Sequence, residues 1–158
     1  MKRYWLMKSE PDAFSWDQLV ATGDEGEPWD GIRNYQARNF MRDDMRVGDL
    51  VLFYHSNFKP PHVAGIAEVS ALNEPDELQF QPDSSYYDPK SKPEAPRWTC
   101  VRIRAVKALP QIVTLADMKA APALSDMLVN QKGMRLSIQP VDEAHFLEVL
   151  RMGGATLP

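Results

Sequence analysis

The apolar residues of this chain occur in short blocks, and residues that favour turns separate one block from the next. The longest continuous apolar run, residues 50–54, is far shorter than the roughly 20 residues of a membrane-spanning helix. The blocks do not alternate regularly between strand and helix patterns, as they would in a doubly wound parallel sheet. The order of the blocks therefore predicts an α+β domain built on a small curved sheet or barrel.

Compact apolar runs with aromatic and β-branched side chains predict the strands. Five segments have this composition: residues 3–8, 50–55, 63–72, 97–106 and 134–139. Residues 73–92 are polar and rich in Asp, Ser and Pro, which predicts a long loop or a weak strand. Loops of this length inside a compact domain are usually functional.

Capping residues ahead of a few apolar positions predict short helices. The caps are Ser15, Asn34, Thr114 and Asp142, and the helices cover residues 16–22, 35–43, 115–120 and 143–151. We expect one further helical turn near residues 123–128 and an acidic loop at residues 24–28.

Cysteine and histidine usage limits the possible chemistry. Cys100 is the only cysteine, so one chain forms neither an internal disulfide nor a cysteine-based zinc site. His55, His62 and His145 lack the spacing of metal ligands, and the usual phosphate-binding and nucleophile motifs are missing. The N-terminus lacks the apolar stretch of a secretory signal. We therefore expect a single domain over residues 1–158, monomeric and cytoplasmic, without metal, cofactor or membrane partner.

The formal net charge of −4 argues against a protein that coats nucleic acid nonspecifically, because such proteins are basic. The charge is unevenly distributed, however. Residues 29–46 carry four arginines against three aspartates, and residues 89–107 carry six basic residues against one glutamate. A local basic face is compatible with the recognition of a single base.

Residues 29–40 are dense in aromatic, guanidinium and amide side chains. Aromatic faces stack on bases with about 1–3 kcal/mol per base. Amides read base edges, and arginines hold phosphates. The alternative is a solvated amphipathic helix in which Trp29 and Tyr35 are core residues. His55 and Ser56 at a strand end, and the lysines and aromatics of residues 86–98, form two further groups that favour a binding pocket.

Seven ordered blocks carry a specific resemblance: residues 4–11 (YWLMKSEP), 29–40 (WDGIRNYQARNF), 47–49 (VGD), 53–56 (FYHS), 87–91 (YDPKS), 97–98 (RW) and 135–140 (RLSIQP). Together they resemble the EVE domain family over residues 3–150. The resemblance implies a PUA-like fold, a small mixed β-barrel decorated with short helices. PUA, ASCH and YTH relatives bind RNA or modified bases in a pocket between barrel and helices.

The resemblance also implies a set of site residues. The positions that match the family's pocket-side motifs, and that we expect at the nucleobase, are Ser9, Trp29, Arg33, Asn34, Tyr35, Arg38, Asn39, His55, Ser56, Trp98, Ser137 and Gln139. We expect Lys90, Lys92 and Arg97 at phosphates, with Arg33 and Arg38 in support.

The function that we expect is a nucleic-acid-binding module that reads a modified nucleobase, with modified cytosine favoured. The sequence leaves open the modification and the choice between DNA and RNA. One alternative is a hydrolase of a modified nucleoside or an RNA end that uses His55 with a nearby carboxylate. Another is an adaptor protein whose pocket is vestigial.

Overall fold

The computed structural model describes residues 2–158, whose backbone forms a mixed sheet and several short helices. The strands are β1 (Tyr4–Ser9), β2 (Glu27–Pro28), β3 (Leu50–His55), β4 (His62–Pro75), β5 (Thr99–Thr114) and β6 (Ile138–Val141). The α-helices are α1 (Trp16–Ala21), α2 (Tyr35–Asn39), α3 (Leu115–Ala120) and α4 (Glu143–Met152). Single turns of 3₁₀ helix cover Gly23–Glu25, Glu77–Phe80, Pro122–Leu124 and Leu128–Asn130, and a π-helical turn covers Phe40–Asp44. Within residues 2–158, no helix is both long and apolar enough to cross a membrane.

The six strands form one sheet in the order β2-β5-β4-β3-β1-β6. β1 and β3 are parallel, and the other neighbouring strands are antiparallel. Shifts of register interrupt the pairing of the two longest strands, β4 and β5, and such bulges bend a sheet. The predicted α+β class is confirmed. The predicted barrel is only partly realised, because the hydrogen-bonded order ends at β2 and β6 and the sheet remains open.

Both faces of the sheet are covered, which explains why residues 4–7 of β1 and residues 50–54 of β3 are apolar at every position. Successive side chains of β1 and β3 point to opposite faces. Leu6 and Leu52 pack with Phe146 of α4 on one face. Trp5 and Phe53 pack on the other face, in the layer that contains the helices α1 and α2. This second layer carries the candidate site.

The strand predictions succeed where burial dominates and fail at the C-terminal edge. The segment predicted at 50–55 is β3, and that at 3–8 is β1 shifted by one residue. The prediction at residues 134–139 is wrong, because β6 begins at Ile138 and continues through Pro140. Proline lacks the N–H that a central strand needs, but β6 is an edge strand and tolerates it.

The cap predictions hold at three of the four helices. Ser15, Asn34 and Thr114 each accept a backbone N–H of the first helical turn. Asp142 occupies the N-cap position of α4 but makes no capping hydrogen bond. The helix predicted over 35–43 changes to π geometry after Asn39. The loop predicted at 24–28 contains part of a 3₁₀ turn and the short strand β2.

Asp49 joins the start of β1 to the turn that precedes β3. Its carboxylate accepts the backbone N–H of Arg3, the indole N–H of Trp5 and the backbone N–H of Arg46, each at 3.0 Å. Asp49 is 1% exposed. The parallel pairing of β1 and β3 therefore starts from a buried carboxylate with three donors.

Candidate nucleic-acid interface

A cavity of about 450 Å³ opens beside the C-terminal end of β1. Its lining comes from three segments that are distant in sequence: residues 8–10 with 13–14, residues 27–32, and Tyr86. Trp29 is 7% exposed and packs edge-on against Phe14 and Phe53, at ring-centroid distances of 6.3 and 5.8 Å. Its backbone N–H donates to Val101 of β5 at 2.8 Å. The indole is thus a fixed wall of this space, which we call the Trp29 cavity.

Ser9, the last residue of β1, lies in the lining of the same cavity. Its hydroxyl donates to the carbonyl of Phe14 at 2.5 Å, which folds residues 10–14 back over the strand. Its carbonyl accepts the N–H of Ser56 at 3.0 Å. Of the twelve residues predicted at the nucleobase, Ser9 and Trp29 line the Trp29 cavity.

The cavity is rich in carboxylates for its size. Glu10, Glu27 and Asp30 line it together with a single cation, Lys8. Burial, and then the charges of Asp76 and Glu27, raise the pKa of Asp30. Burial lowers the pKa of Lys8. This lining suits a neutral ligand with hydrogen-bond donors better than it suits a phosphate.

A second set of predicted residues gathers outside the lining, and we call it the Tyr35 cluster: Arg33, Tyr35, Arg38, Arg97 and Trp98. Tyr35 is 51% exposed and stacks on the buried Trp98 at 4.8 Å, with 23° between the ring planes. The guanidinium of Arg38 lies 4.7 Å from the Tyr35 ring centroid. Arg38 Nη1 donates to the carbonyl of Arg97 at 2.9 Å. An exposed ring on a buried ring, flanked by arginines, is a surface on which a base can stack.

Two of the predicted amides in this region serve the local backbone and side chains. Asn34 caps α2 by accepting the N–H of Ala37 at 2.9 Å. Asn39 accepts two hydrogen bonds from the guanidinium of Arg38, at 3.1 and 2.8 Å. They hold Tyr35 and Arg38 in place.

The remaining predicted residues lie away from the lining of the Trp29 cavity. Ser137 accepts the backbone N–H of Lys8 at 2.8 Å, and Gln139, 1% exposed, donates to Leu136 at 2.8 Å. The Nε2 of His55 accepts the backbone N–H of Trp16 at 3.2 Å. These contacts align β6 and α1 with the sheet.

The residues predicted at phosphates lie on the segment that leads into β5. Lys90 and Lys92 are exposed. Arg97 lies 3.5 Å from Asp88, which also accepts the indole N–H of Trp98 at 2.8 Å. Part of the positive charge of residues 89–107 is therefore neutralised within the fold.

Ten of the twelve residues that line the cavity were not predicted at the nucleobase, and they include Phe14, Asp30 and Tyr86. Asp30 lies inside the block 29–40 and has the residue type that accepts hydrogen bonds from an amino group. Tyr86 lies in the long polar segment, whose length and paired tyrosines were the available signal.

His55 gives a testable dependence of stability on pH. Burial and the neighbouring His62 lower its pKa, and Asp17 opposes them. A histidine with a lowered pKa in the folded state contributes stability above its unfolded pKa of about 6.5, and this contribution is lost as the pH falls through the folded pKa. We expect the free energy of unfolding to decrease as the pH falls below about 6.5. Urea titrations should show a smaller fall for His55→Gln, and equal falls would contradict the assignment.

Comparisons with known proteins decide the family. The model of the EVE domain matches residues 3–152. The chain belongs to the EVE domain family. The resemblance expected from the sequence blocks is thereby confirmed.

The relatives of this EVE domain match it over almost its whole length. Thymocyte nuclear protein 1 of Homo sapiens is 36% identical over 169 residues, covering 96% of this chain and 74% of the relative. A hypothetical protein from Leishmania major of known structure is 44% identical, with a TM-score of 0.88 and coverage of 98% and 96% of the two chains. The crystal structure of human THYN1 protein in complex with DNA containing 5-methylcytosine is 36% identical, with a TM-score of 0.88 and coverage of 99% and 100%.

Proposed function

We propose that this EVE domain is a nucleic-acid-binding module that reads a modified base, and that the base is a modified cytosine in DNA held in the Trp29 cavity. One observation carries the proposal. A relative that matches 99% of this chain at a TM-score of 0.88 has been crystallised with DNA containing 5-methylcytosine. The cavity of about 450 Å³ with a fixed indole wall gives a place for such a base in this chain.

The chemistry of the lining favours cytosine among the pyrimidines. Cytosine presents an exocyclic amino group, and carboxylates accept hydrogen bonds from it. Asp30 and Glu27 supply such acceptors within the lining. Thymine carries the same 5-methyl group as 5-methylcytosine but has a carbonyl oxygen in place of the amino group, which a carboxylate repels. The indole of Trp29 supplies the surface for stacking.

Two of the cations predicted to contact phosphates are already paired with carboxylates of the protein. Arg33 and Arg97 pair with Asp76 and Asp88. Of the five cations predicted at phosphates, Arg38, Lys90 and Lys92 form no ion pair within residues 2–158, and we propose these three as the phosphate contacts. Extruding a base costs a few kcal/mol. The energy must therefore come mainly from the cavity and the Tyr35 cluster.

We further propose that residues 1–158 act as a single domain, as a monomer and in the cytoplasm. RNA with the same modification remains a second possible partner of this module. The buried Cys100, whose pKa burial raises to about 12, supports a structural thiol and an environment without disulfides.

The proposal is tested by fluorescence anisotropy with short duplexes that differ at one central position. We expect the duplex with 5-methylcytosine to bind about tenfold or more tightly than the duplex with cytosine, the scale on which a pocket distinguishes one methylene group. The duplex with thymine at that position should bind no better than the duplex with cytosine. Single-stranded DNA and RNA with the same modified base complete the panel.

Each outcome of the panel separates the proposed function from its alternatives. Equal affinities for all duplexes at low salt would contradict a base reader. A preference confined to RNA would move the function to RNA. Release or alteration of the modified base during the titration would favour a hydrolase.

A further inference from the structure

Tyr86 reaches the Trp29 cavity from a segment that is distant in sequence. It lies in residues 81–98, between the 3₁₀ turn Glu77–Phe80 and β5, and its side chain is 42% exposed. Its ring packs on Gly31, where an added Cβ would lie 3.3 Å from two ring carbons. Gly31 also has a φ of +76°, which L side chains rarely adopt. Glycine at this position lets the ring sit against the cavity lining.

Arg33 holds Tyr86 at this position. The carbonyl of Tyr86 accepts hydrogen bonds from Nε and Nη2 of Arg33, at 3.0 and 2.8 Å. The guanidinium also lies 5.5 Å from the centroid of the Tyr86 ring and 5.0 Å from that of Trp98. The planar fork of arginine grips one carbonyl and faces two aromatic rings, a combination that lysine cannot reproduce.

Asp76 fixes the other end of this arrangement. It is 2% exposed, and its Oδ2 accepts Nη1 of Arg33 at 2.9 Å and the backbone N–H of Gly31 at 2.8 Å. Nη1 of Arg33 also donates to the carbonyl of Ile32 at 2.7 Å. Most of the N–H donors of Arg33 are thus used within the protein, which leaves little capacity for a phosphate or a base edge.

We propose that Tyr86 closes over the base in the Trp29 cavity and that Arg33, fixed by Asp76, is the positioning residue that holds it there. This inference rests on the proposed function of the cavity. Three aromatic residues line the cavity, and Tyr86 is the one with the most exposed side chain. A bound base gives its ring an apolar partner, and a tyrosine loses little conformational entropy on ordering.

The matched pair Tyr86 and Tyr87 tests whether Tyr86 closes over the base. Tyr87 is adjacent and 41% exposed, but it lies outside the cavity lining. We expect Tyr86→Ala to raise the Kd for the duplex with 5-methylcytosine about five- to hundredfold, the range that loss of one aromatic–base stack supports. The increase should appear mainly in the dissociation rate. Tyr86→Phe and Tyr87→Ala should bind like the wild type.

A double-mutant cycle tests whether Arg33 positions Tyr86. Arg33→Lys keeps the charge but loses the two hydrogen bonds to the Tyr86 carbonyl. We expect Arg33→Lys to weaken binding in the wild-type background. It should add little in the Tyr86→Ala background, because both changes act on the contact between the Tyr86 ring and the base. Additive effects would show that Arg33 acts on the ligand directly and would overturn its positioning role.

The failure of this inference is distinguishable from the failure of the proposed function. If the wild type prefers 5-methylcytosine and Tyr86→Ala binds as tightly as Tyr87→Ala, the closing role of Tyr86 is wrong and the reader function stands. If the wild type shows no preference for any duplex, both are wrong.

Discussion

A Trp29→Ala variant is expected to bind duplexes with cytosine and with 5-methylcytosine equally. The indole forms the fixed wall of the Trp29 cavity, and its removal takes away the stacking surface, which is worth about 1–3 kcal/mol per base. The variant also loses buried contacts with Phe14 and Phe53. Truncating a buried aromatic residue costs about 3–5 kcal/mol of stability. Loss of selectivity must therefore be separated from loss of folding.

Trp16 provides the matched control for Trp29. Both side chains are 7% exposed, and both pack edge-on against Phe53, at 5.5 and 5.8 Å. Trp16 lies outside the lining of the cavity. Anisotropy on the folded fraction of each variant should show that Trp16→Ala keeps the preference for 5-methylcytosine and that Trp29→Ala loses it. A Trp29→Phe variant keeps an aromatic wall and should retain part of the preference. The same loss in both alanine variants would mean that stability, and not stacking, controls binding.

The parts of the fold that the sequence could predict are those that local signals determine. The apolar runs of β1 and β3 are buried on both faces, so their composition predicts a strand without reference to the neighbouring strands. The caps at Ser15 and Thr114 are complete within four residues of chain, since each side chain and its N3 residue bond each other's backbone.

The parts that could not be predicted depend on pairing between distant segments. β2 has two residues, and it exists because Glu27 and Pro28 pair with Ile103 and Arg102 of β5. The change from α to π geometry after Asn39 likewise has no local signal that we can name. The failure of the barrel to close also depends on strands at opposite ends of the chain.

The same limit applies to the candidate site. The family resemblance grouped Ser9 with Trp29, and both line the Trp29 cavity although they are twenty positions apart in sequence. It grouped Arg33 with them as a ligand contact, whereas the structure turns its guanidinium towards Asp76 and Tyr86. Those partners lie 43 and 53 positions away in sequence, beyond the reach of any spacing rule.

A second large effect on stability is expected at Asp49, whose carboxylate joins β1 to the turn before β3. Asp49→Ala leaves the N–H groups of Arg3, Trp5 and Arg46 without their acceptor. An unsatisfied buried donor costs about 1–3 kcal/mol. Two of the three donors are only partly buried, and water can reach them after the change. We therefore expect a loss of about 2–5 kcal/mol, a large share of the 5–15 kcal/mol by which a domain of this size is stable.

Asp49→Asn and Asp44→Asn make this expectation specific. The oxygen of an asparagine at position 49 can replace Oδ2, which accepts both Trp5 and Arg46, but its amide nitrogen then faces the N–H of Arg3. The loss of stability in Asp49→Asn should therefore fall between the losses in Asp49→Ala and in the control Asp44→Asn. Asp44 lies 3.8 Å from the Arg3 side chain and is 41% exposed, and surface pairs of this kind contribute about 0–1 kcal/mol. Urea unfolding followed by tryptophan fluorescence should give the order Asp49→Ala, Asp49→Asn, Asp44→Asn from least to most stable. An Asp49→Ala variant as stable as Asp44→Asn would mean that the N–H groups find other acceptors and that the β1–β3 pairing does not depend on this carboxylate.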